Sequence, residues 1–171
     1  MLDDDSFKKE EKYDFAIGSD HAGFYLKERI QQYFLGKKKK VLDVGTYSCE
    51  SIDSGPIAEK VGQLIADDRC EKGILICGTG IGMCMGVNKV FGVKAALCHD
   101  KFTARYAKRH NNADVICLGA RVISEETALE CVKTWLEEKF LGGKYARRTA
   151  YLNVIEEHSF YKKKSKENHI K

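Results

Sequence analysis

The sequence predicts an α/β protein, a three-layer αβα sandwich with a five-stranded parallel sheet. Five short apolar runs that are typical of buried strands recur along the chain, and segments with a helical spacing of apolar residues lie between them. A strand–helix alternation repeated in this way indicates parallel strands with helices on both faces of the sheet. The chain has one proline and no internal repeat or low-complexity linker, so we expect one main domain.

The predicted elements follow one another in a regular order. The strands are expected at 15–18, 41–45, 74–77, 95–98 and 115–119. The apolar stripes of the first two helices consist of Leu26, Ile30 and Phe34, and of Ile57, Val61, Leu64 and Ile65. Ser124 is expected to cap a helix that carries Leu129, Val132, Trp135, Leu136 and Phe140 and closes at Gly142 and Gly143. A last helix is expected over about 147–161.

The two ends of the chain differ in composition from the middle. Residues 1–12 contain five acids and three lysines, which predicts a flexible acidic arm, and 13–161 form the predicted domain. The lysine-rich tail, 162–171, has five lysines and one glutamate, which account for the whole formal net charge of +4. The body of the protein is therefore balanced in charge, and no basic stripe interleaved with aromatic residues predicts nucleic-acid binding.

Composition also argues against membranes, export and metals. No apolar run approaches the roughly 18 residues needed to span a bilayer, and an acidic start is unlike a targeting leader. Seven cysteines are an odd number, and none forms a CxxC pair, so we expect free thiols in a reducing cytoplasm. The separation of Cys77 and Cys84 is unlike zinc-ligand spacing, and no metal is expected.

The most informative segment is the turn that follows the third predicted strand. Ligands of open α/β sheets bind beyond the carboxyl ends of the strands. There Cys77 ends an apolar run, and glycines follow at positions 78, 80 and 82. Such a turn can present backbone N–H groups to an anion, and a thiol at a helix start can act as a base when its pKa is lowered. The alternative is a core cysteine in a tight turn.

Familiar phosphate-binding motifs do not describe this turn. Met83 stands where the third glycine of a dinucleotide-binding GxGxxG would be, and the Lys-Ser/Thr pair of a Walker loop is missing. The residue six after Cys77 is also Met83 rather than the arginine of a cysteine phosphatase. What remains is a thiol beside several N–H donors and the Thr79 hydroxyl.

Other polar residues stand in loops where they could contact a ligand. Asp20 and His21 follow the first strand, where they could handle a hydroxyl and an anion; alternatively, Asp20 is only a helix cap. His110, in the segment 109–112, could move a proton near neutral pH, or could simply end a helix. The basic residues Arg121, Lys144, Arg147 and Arg148 could clamp a phosphate, or could belong to an ordinary surface.

Five segments in this order resemble the type B ribose-5-phosphate isomerases and their relatives, the galactose-6-phosphate and allose-6-phosphate isomerases. They are 18–23 (GSDHAG), 43–46 (DVGT), 73–82 (GILICGTGIG), 107–111 (AKRHN) and 119–122 (GARV), and the likeness extends over about 13–157. The resemblance implies a Rossmann-like sandwich, a homodimer or tetramer with sites shared between subunits, and aldose–ketose isomerisation through an enediol(ate) without a cofactor.

The resemblance also implies a role for each site residue. Cys77 would be the base, and Gly78, Thr79, Gly80, Ile81 and Gly82 would line the enediolate pocket, with Thr79 among the catalytic groups. His110, contributed by the partner subunit, would open the sugar ring with Asp20 across from it, and Asn111 would hold a sugar hydroxyl. His21, Arg121, Lys144 and Arg148 match the phosphate-binding positions.

The sequence departs from the family at two places that bear on the substrate. Lys144 stands where the family usually has arginine, which replaces a bidentate fork with a point charge. The stretch 53–56 (DSGP) lacks a tyrosine that helps to wall the sugar site. The main hypothesis is interconversion of ribose 5-phosphate and ribulose 5-phosphate in the non-oxidative pentose phosphate pathway. The alternatives are a hexose-6-phosphate isomerase and a non-catalytic, flavodoxin-like phosphate or nucleotide module.

Overall fold

The computed structural model describes residues 11–167 and is an αβα sandwich, as predicted. The elements are β1 (Tyr13–Ser19), α1 (Phe24–Phe34), β2 (Val41–Asp43), α2 (Ser54–Ala66), β3 (Cys70–Cys77), α3 (Ile81–Val87), β4 (Ala95–Leu97), α4 (Lys101–Arg109), β5 (Val115–Gly119), α5 (Glu125–Glu137) and α6 (Lys144–Glu167). The predicted arm at 1–12 and tail at 162–171 lie mostly or partly outside the described residues.

The five strands form one parallel sheet in the order β2-β1-β3-β5-β4. β3 is central, and the register pairs Ile17 with Ile74 and Ile74 with Ile116. At the carboxyl edge Cys77 pairs with Gly119 of β5. The loops that follow β1, β3 and β5 are therefore neighbours, and this edge is where a parallel sheet binds its ligands.

Each face of the sheet is covered by its own apolar layer. On one face Ile30 and Phe34 of α1 belong to the same cluster as Trp135 of α5, whose indole Nε1 donates to the Ala113 carbonyl at 3.3 Å. On the other face Val61 of α2 packs in a cluster with Val87 of α3. Both layers are almost completely buried, so the helices hold the strand ends in fixed relative positions.

The helix boundaries near the C-terminus differ from the sequence expectation. α5 ends at Glu137, because Glu138 has an extended backbone (φ −76°, ψ 148°), so the prediction that Phe140 belongs to this helix is wrong. Gly142 and Gly143 have positive φ and lead directly into α6, which begins at Lys144 and continues to Glu167. The predicted helix 147–161 is therefore a shorter version of the observed one.

α6 leaves much of its apolar surface exposed. Tyr151 and Leu152 are 62% and 43% exposed, and Ile155 is 50% exposed. A groove of about 410 Å³ separates part of this helix from the body, and the Glu156 carboxylate bridges it by accepting from the Gly92 N–H at 3.1 Å. Among the described residues, no helix has both the length and the apolarity required to cross a membrane.

Candidate active site

Cys77 lies at the carboxyl end of β3, between the loops that follow β1 and β5. The Asp20 N–H donates to the Ile76 carbonyl at 3.1 Å, and the Ala120 N–H donates to the Cys77 carbonyl at 2.9 Å. These bonds continue the pairing of the strands by one residue beyond the sheet. Three loops therefore meet around the Cys77 side chain, which is only 5% exposed.

The glycine-rich turn wraps around the sulfur of Cys77. The Gly80 N–H donates to Cys77 Sγ at 3.0 Å, and Gly80 has the positive φ of +78° that lets the chain reverse before α3. A Cβ on Gly80 would lie 2.5 Å from Leu97 Cδ1 and 2.9 Å from the Leu118 carbonyl carbon. The sequence therefore needs glycine here both for the backbone conformation and for close packing against β4 and β5.

The Thr79 side chain follows the thiol in the same turn. Its Oγ1 accepts from the Ile81 N–H at 3.3 Å, so its own hydrogen can be donated to another oxygen. The first N–H groups of a helix lack partners within that helix, and Gly82 lies in the first turn of α3. The turn thus brings the thiol, a hydroxyl and backbone amides into one small region.

The Asp20 side chain holds the turn that leads into α1. Its Oδ1 accepts from the Ala22 N–H at 2.9 Å and from the Gly23 N–H at 3.0 Å. The N-cap of α1 is Gly23, and no side chain caps this helix, so the alternative in which Asp20 is a helix cap is wrong. The contacts of Oδ1 leave Oδ2 available for a second partner. A Cβ on Gly23 would lie 2.7 Å from the Ile76 carbonyl oxygen, so this loop packs closely against β3.

His21 and Arg121 flank the same region from two loops. His21 Nδ1 accepts from the Ile52 N–H at 3.3 Å, which ties it to the loop that follows β2. The Arg121 N–H donates to the Gly78 carbonyl at 2.9 Å. A Cβ built on Gly78 would be 3.4 Å from Arg121 Nη1 and 3.6 Å from the Ala22 side chain. The Arg121 guanidinium therefore lies over the glycine turn, beside the loop of His21.

The remaining predicted site residues, among them His110 and Asn111, lie away from Cys77. α4 starts after the carboxyl end of β4, runs back against the strand direction for nine residues, or about 14 Å, and ends at His110. His110 is therefore near the amino edge of the sheet. Asn111 follows it, and its Nδ2 donates to the Tyr106 carbonyl at 3.2 Å.

The His110 ring contacts two tyrosines. It is stacked on Tyr145 with 4.0 Å between ring centroids and 10° between planes, and it lies 4.4 Å from Tyr106 at a tilt of 51°. Lys144 Nζ and Arg148 Cζ lie 5.2 and 5.9 Å from the centre of the Tyr145 ring. Two predicted phosphate ligands thus surround the tyrosine that supports the histidine.

The predicted site residues consequently form two groups within one chain. The cysteine group contains Asp20, His21, Cys77, Gly78, Thr79, Gly80, Ile81, Gly82 and Arg121. The histidine group contains His110, Asn111, Lys144 and Arg148, together with Tyr145. The single chain does not bring the two groups together, because they occupy opposite edges of the sheet.

Two features of the site escaped the sequence reasoning. One is Tyr145, which only its position beside Lys144 could have suggested. The other is a buried ion pair: the fully buried Lys27 ammonium contacts the Asp43 carboxylate. Asp43 Oδ1 also accepts from the Gly45 N–H at 2.9 Å, and the Tyr47 hydroxyl donates to its carbonyl. This pair anchors the loop that reaches His21.

The cysteines differ in their ionisation. A hydrogen bond from the Cys117 thiol lowers the pKa of Cys84 to about 7, whereas burial raises the pKa of Cys117 well above its ordinary value. Burial likewise raises the pKa of Cys70 to about 11. Within residues 11–167, no three His, Cys, Asp or Glu side chains cluster in a way that could hold a metal ion.

The sequence and the fold were compared with those of known proteins. The family model described as Ribose/Galactose Isomerase matches residues 15–152. The D-erythrulose-4-phosphate isomerase of Pectobacterium atrosepticum is 43% identical over 82% of this chain and 93% of its own length. The ribose-5-phosphate isomerase B of Clostridium thermocellum superposes with a TM-score of 0.83 at 39% identity, covering 85% of this chain and 98% of that one.

A third similar protein was solved with a sugar phosphate. The ribose-5-phosphate isomerase B of Mycoplasma genitalium with bound ribulose-5-phosphate has a TM-score of 0.81 and 35% identity, over 86% of this chain and 98% of its own. The fold and the strand-edge site thus define an aldose–ketose isomerase of sugar phosphates. More particularly, the chain belongs to the ribose/galactose isomerase family.

Proposed function

We propose that this protein interconverts D-ribose 5-phosphate and D-ribulose 5-phosphate through an enediol(ate), with Cys77 as the base. The observation that carries the proposal is the position of Cys77 Sγ, which ends a buried strand inside a turn of backbone amides. The match to the ribose-5-phosphate isomerases B, one of them with ribulose-5-phosphate bound, supports the five-carbon substrate.

The reaction moves one proton from C2 to C1 and one proton from the C2 oxygen to the C1 oxygen. Cys77 removes the C2 proton of the open-chain aldose, and the electron pair forms the C1–C2 double bond while negative charge develops on O1. Thr79 Oγ1 lies in the same turn and can donate to that oxygen, and each preorganised donor is worth about 3 kcal/mol. The proton of the C2 hydroxyl then moves to O1, the C2 carbonyl forms, and the electron pair of the C1–C2 double bond takes the proton back from the thiol onto C1, which yields the ketose and restores the thiolate.

We infer that each active site combines the cysteine group of one chain with the histidine group of another. In this arrangement His110 opens the sugar ring opposite the free oxygen of Asp20. The phosphate is bound by His21 and Arg121 of one copy together with Lys144 and Arg148 of the other. Two observations support this: the groups lie at opposite edges of one sheet, and α6 exposes apolar side chains that a second copy could cover.

A second candidate substrate is a four-carbon ketose 4-phosphate. The relative named D-erythrulose-4-phosphate isomerase favours it, at 43% identity. The two substrates differ in whether they can form a ring. Ribose 5-phosphate closes a ring through its C4 hydroxyl, whereas in a tetrose 4-phosphate that oxygen is esterified and the sugar stays open. A substrate without a ring does not need the proposed action of His110.

The decisive experiment compares sugar phosphates in deuterium oxide. Purified protein is incubated with ribose, erythrose, allose and galactose phosphates, and ketose formation and deuterium uptake at C2 are followed by NMR. We expect the fastest turnover with ribose 5-phosphate. Faster turnover of a tetrose or hexose phosphate would show that ribose 5-phosphate is not the preferred substrate. Absence of exchange with every sugar would favour a non-catalytic phosphate-binding module.

Substitution of the thiol tests the base. Cys77→Ala is expected to lower kcat by about a thousandfold, within the range for loss of a positioned proton-transfer group, and to leave the affinity for substrate nearly unchanged. Cys84→Ala is the matched control, because it removes a half-buried thiol from the following helix α3. Full activity in Cys77→Ala would exclude the proposed base.

A further inference from the structure

Tyr145 contacts His110, Lys144 and Arg148 at the amino edge of the sheet. Its ring lies parallel to the His110 imidazole at 4.0 Å and 10°. Lys144 Nζ and Arg148 Cζ are within 6 Å of its centre, close enough for a cation–π attraction. Tyr145 is therefore the one aromatic side chain, among those described, that touches the proposed ring-opening group and both cations of the histidine group.

The stack on Tyr145 restricts rotation of the His110 ring but leaves its two nitrogens able to form hydrogen bonds. Parallel contact of ring faces resists rotation of the imidazole out of its plane. The two nitrogens lie in that plane at the edge of the ring, so stacking does not block a hydrogen bond to a sugar oxygen. Tyr106 contacts the same ring at a tilt of 51°, which further limits the imidazole.

The His110 side chain needs this support because the end of a helix does little to fix the orientation of a side chain. It is the C-terminal cap of α4, held by the bond from its N–H to the Tyr106 carbonyl at 3.0 Å. At a helix end the side chain has fewer neighbours than inside a helix. An acid–base group must be positioned to a fraction of an ångström to be effective.

We propose that Tyr145 is a positioning residue that holds the His110 imidazole in the orientation required to open the sugar ring, an inference that rests on the proposed function. Tyr145 itself does not touch the reacting atoms. Its contribution is specific to substrates that arrive as rings, because an open-chain sugar phosphate bypasses the step in which His110 acts.

The test compares a ring-forming with an open-chain sugar. Tyr145→Leu keeps an apolar side chain but removes the flat face. We expect it to lower kcat/KM for ribose 5-phosphate about tenfold, as for a modest misplacement of a catalytic group. Erythrose 4-phosphate is the open-chain probe, followed as a substrate or, if it is not turned over, as a competitive inhibitor. The readout is the ratio of the losses with the two sugars, which should be about tenfold. A loss at Lys144 or Arg148 affects both sugars and cancels in this ratio.

Two controls separate positioning from general damage. Tyr145→Phe preserves the stack and should retain the wild-type ratio. Tyr33→Leu removes a tyrosine ring of α1 that contacts Lys37 and Lys133, outside both groups of site residues, and should also retain the wild-type ratio. The NMR signals of the His110 ring, identified by their loss in His110→Gln, should move downfield in Tyr145→Leu because the shielding by the stacked ring is lost.

The outcomes separate this inference from the proposed function. Equal losses with both sugars in Tyr145→Leu, or an unchanged rate with ribose 5-phosphate, would overturn the positioning role in an enzyme whose wild type is active. An unshifted His110 signal would overturn the stack itself. A wild-type protein without isomerase activity would instead refute the proposed function, and the positioning role with it.

Discussion

Cys77 and His110 lie at opposite edges of the same parallel sheet. Cys77 ends β3 at the carboxyl edge, whereas His110 follows α4, which runs back to the amino edge. A proton-transfer base and a ring-opening acid that serve one sugar cannot act together from these positions in a single chain. The sharing of sites between copies is therefore the simplest arrangement that uses both.

Shared sites predict that two inactive variants restore each other. Cys77→Ala and His110→Ala are each expected to be inactive with ribose 5-phosphate. When they are mixed, unfolded and refolded together, random pairing into dimers should recover about a quarter of the wild-type activity, because half of the dimers are mixed and each has one intact site. The measurement is specific activity against mixing ratio.

The control for this experiment uses two changes in the same group. A mixture of Cys77→Ala and Asp20→Ala should stay inactive, since every site then contains one defective cysteine group. Recovery in that mixture, or no recovery in the first, would contradict sites divided between copies.

A methyl group added at Gly80 should lower the free energy of unfolding by more than one added at Gly92. Gly80 and Gly92 have nearly equal positive φ angles of +78° and +80°, but a Cβ at Gly92 would meet nothing within 4 Å. Gly92→Ala should therefore cost only the backbone term, about 1 kcal/mol. Gly80→Ala adds the collision with Leu97 and the Leu118 backbone, for a total of about 3 kcal/mol.

Urea unfolding of the two variants measures this difference, and activity gives a second readout. Gly80→Ala should lose turnover at temperatures where it is still folded, since the amide that donates to Cys77 Sγ moves. Equal stabilities of the two variants would mean that the turn is free to relax.

The thiol of Cys84 should react before the buried thiols. A hydrogen bond from Cys117 lowers its pKa to about 7, so the thiolate fraction, and with it the rate of alkylation by iodoacetamide, rises as the pH increases through about 7. Burial raises the pKa of Cys70 to about 11 and that of Cys131 to about 11, which keeps these thiols protonated. Mass spectrometry of peptides labelled over a range of pH gives the order.

Labelling in urea is the control, because unfolding should remove the difference between these cysteines. A midpoint for Cys84 near the ordinary thiol value, in the folded protein, would show that the bond from Cys117 does not stabilise the thiolate.

The ion pair of Lys27 and Asp43 should matter far more than an exposed one. Lys27 is fully buried, so Lys27→Met leaves the Asp43 carboxylate without its cation and should cost about 3 kcal/mol. Lys12→Met is the matched change at the surface pair with Asp68, where the side chains are 72% and 84% exposed, and it should cost less than about 1 kcal/mol. Chemical denaturation measures both.

The double variant Lys27→Met, Asp43→Asn distinguishes the two contributions to this cost. It should recover part of the loss, because the charge at Asp43 is then removed, and Glu28, the other carboxylate that contacts Lys27, is 45% exposed. A double variant no more stable than Lys27→Met alone would show that the unpaired Asp43 carboxylate is not the source of the cost.

The local pattern of the sequence predicted the strands, most helices and the edge where Cys77 lies. It could do so because the apolar runs around Ile17, Ile74 and Ile116 mark buried strands, and because strand ends in parallel sheets meet at one edge. The strand order, with β5 beside β3, was not predicted, since pairing between distant segments depends on the packing of the whole layer.

The contacts that escaped prediction all join residues far apart in sequence or depend on a backbone turn. The stack of His110 on Tyr145 forms between the end of α4 and the start of α6. The burial of Lys27 in α1 depends on Asp43 in β2, although a lysine in isolation indicates an exposed position. Likewise, the bond from Gly80 to the Cys77 sulfur requires the left-handed turn, which glycine permits but does not dictate.

The crowding around Gly80 and Gly119 has a consequence for how such a protein can diversify. A Cβ on Gly119 would lie 2.7 Å from the Thr79 carbonyl, and one on Gly80 would strike its neighbours equally closely. Single replacements at these two glycines are therefore almost excluded. The exposed Tyr47 in the loop after β2 and the beginning of α6 are free of such crowding, and engineering for new substrates should begin there.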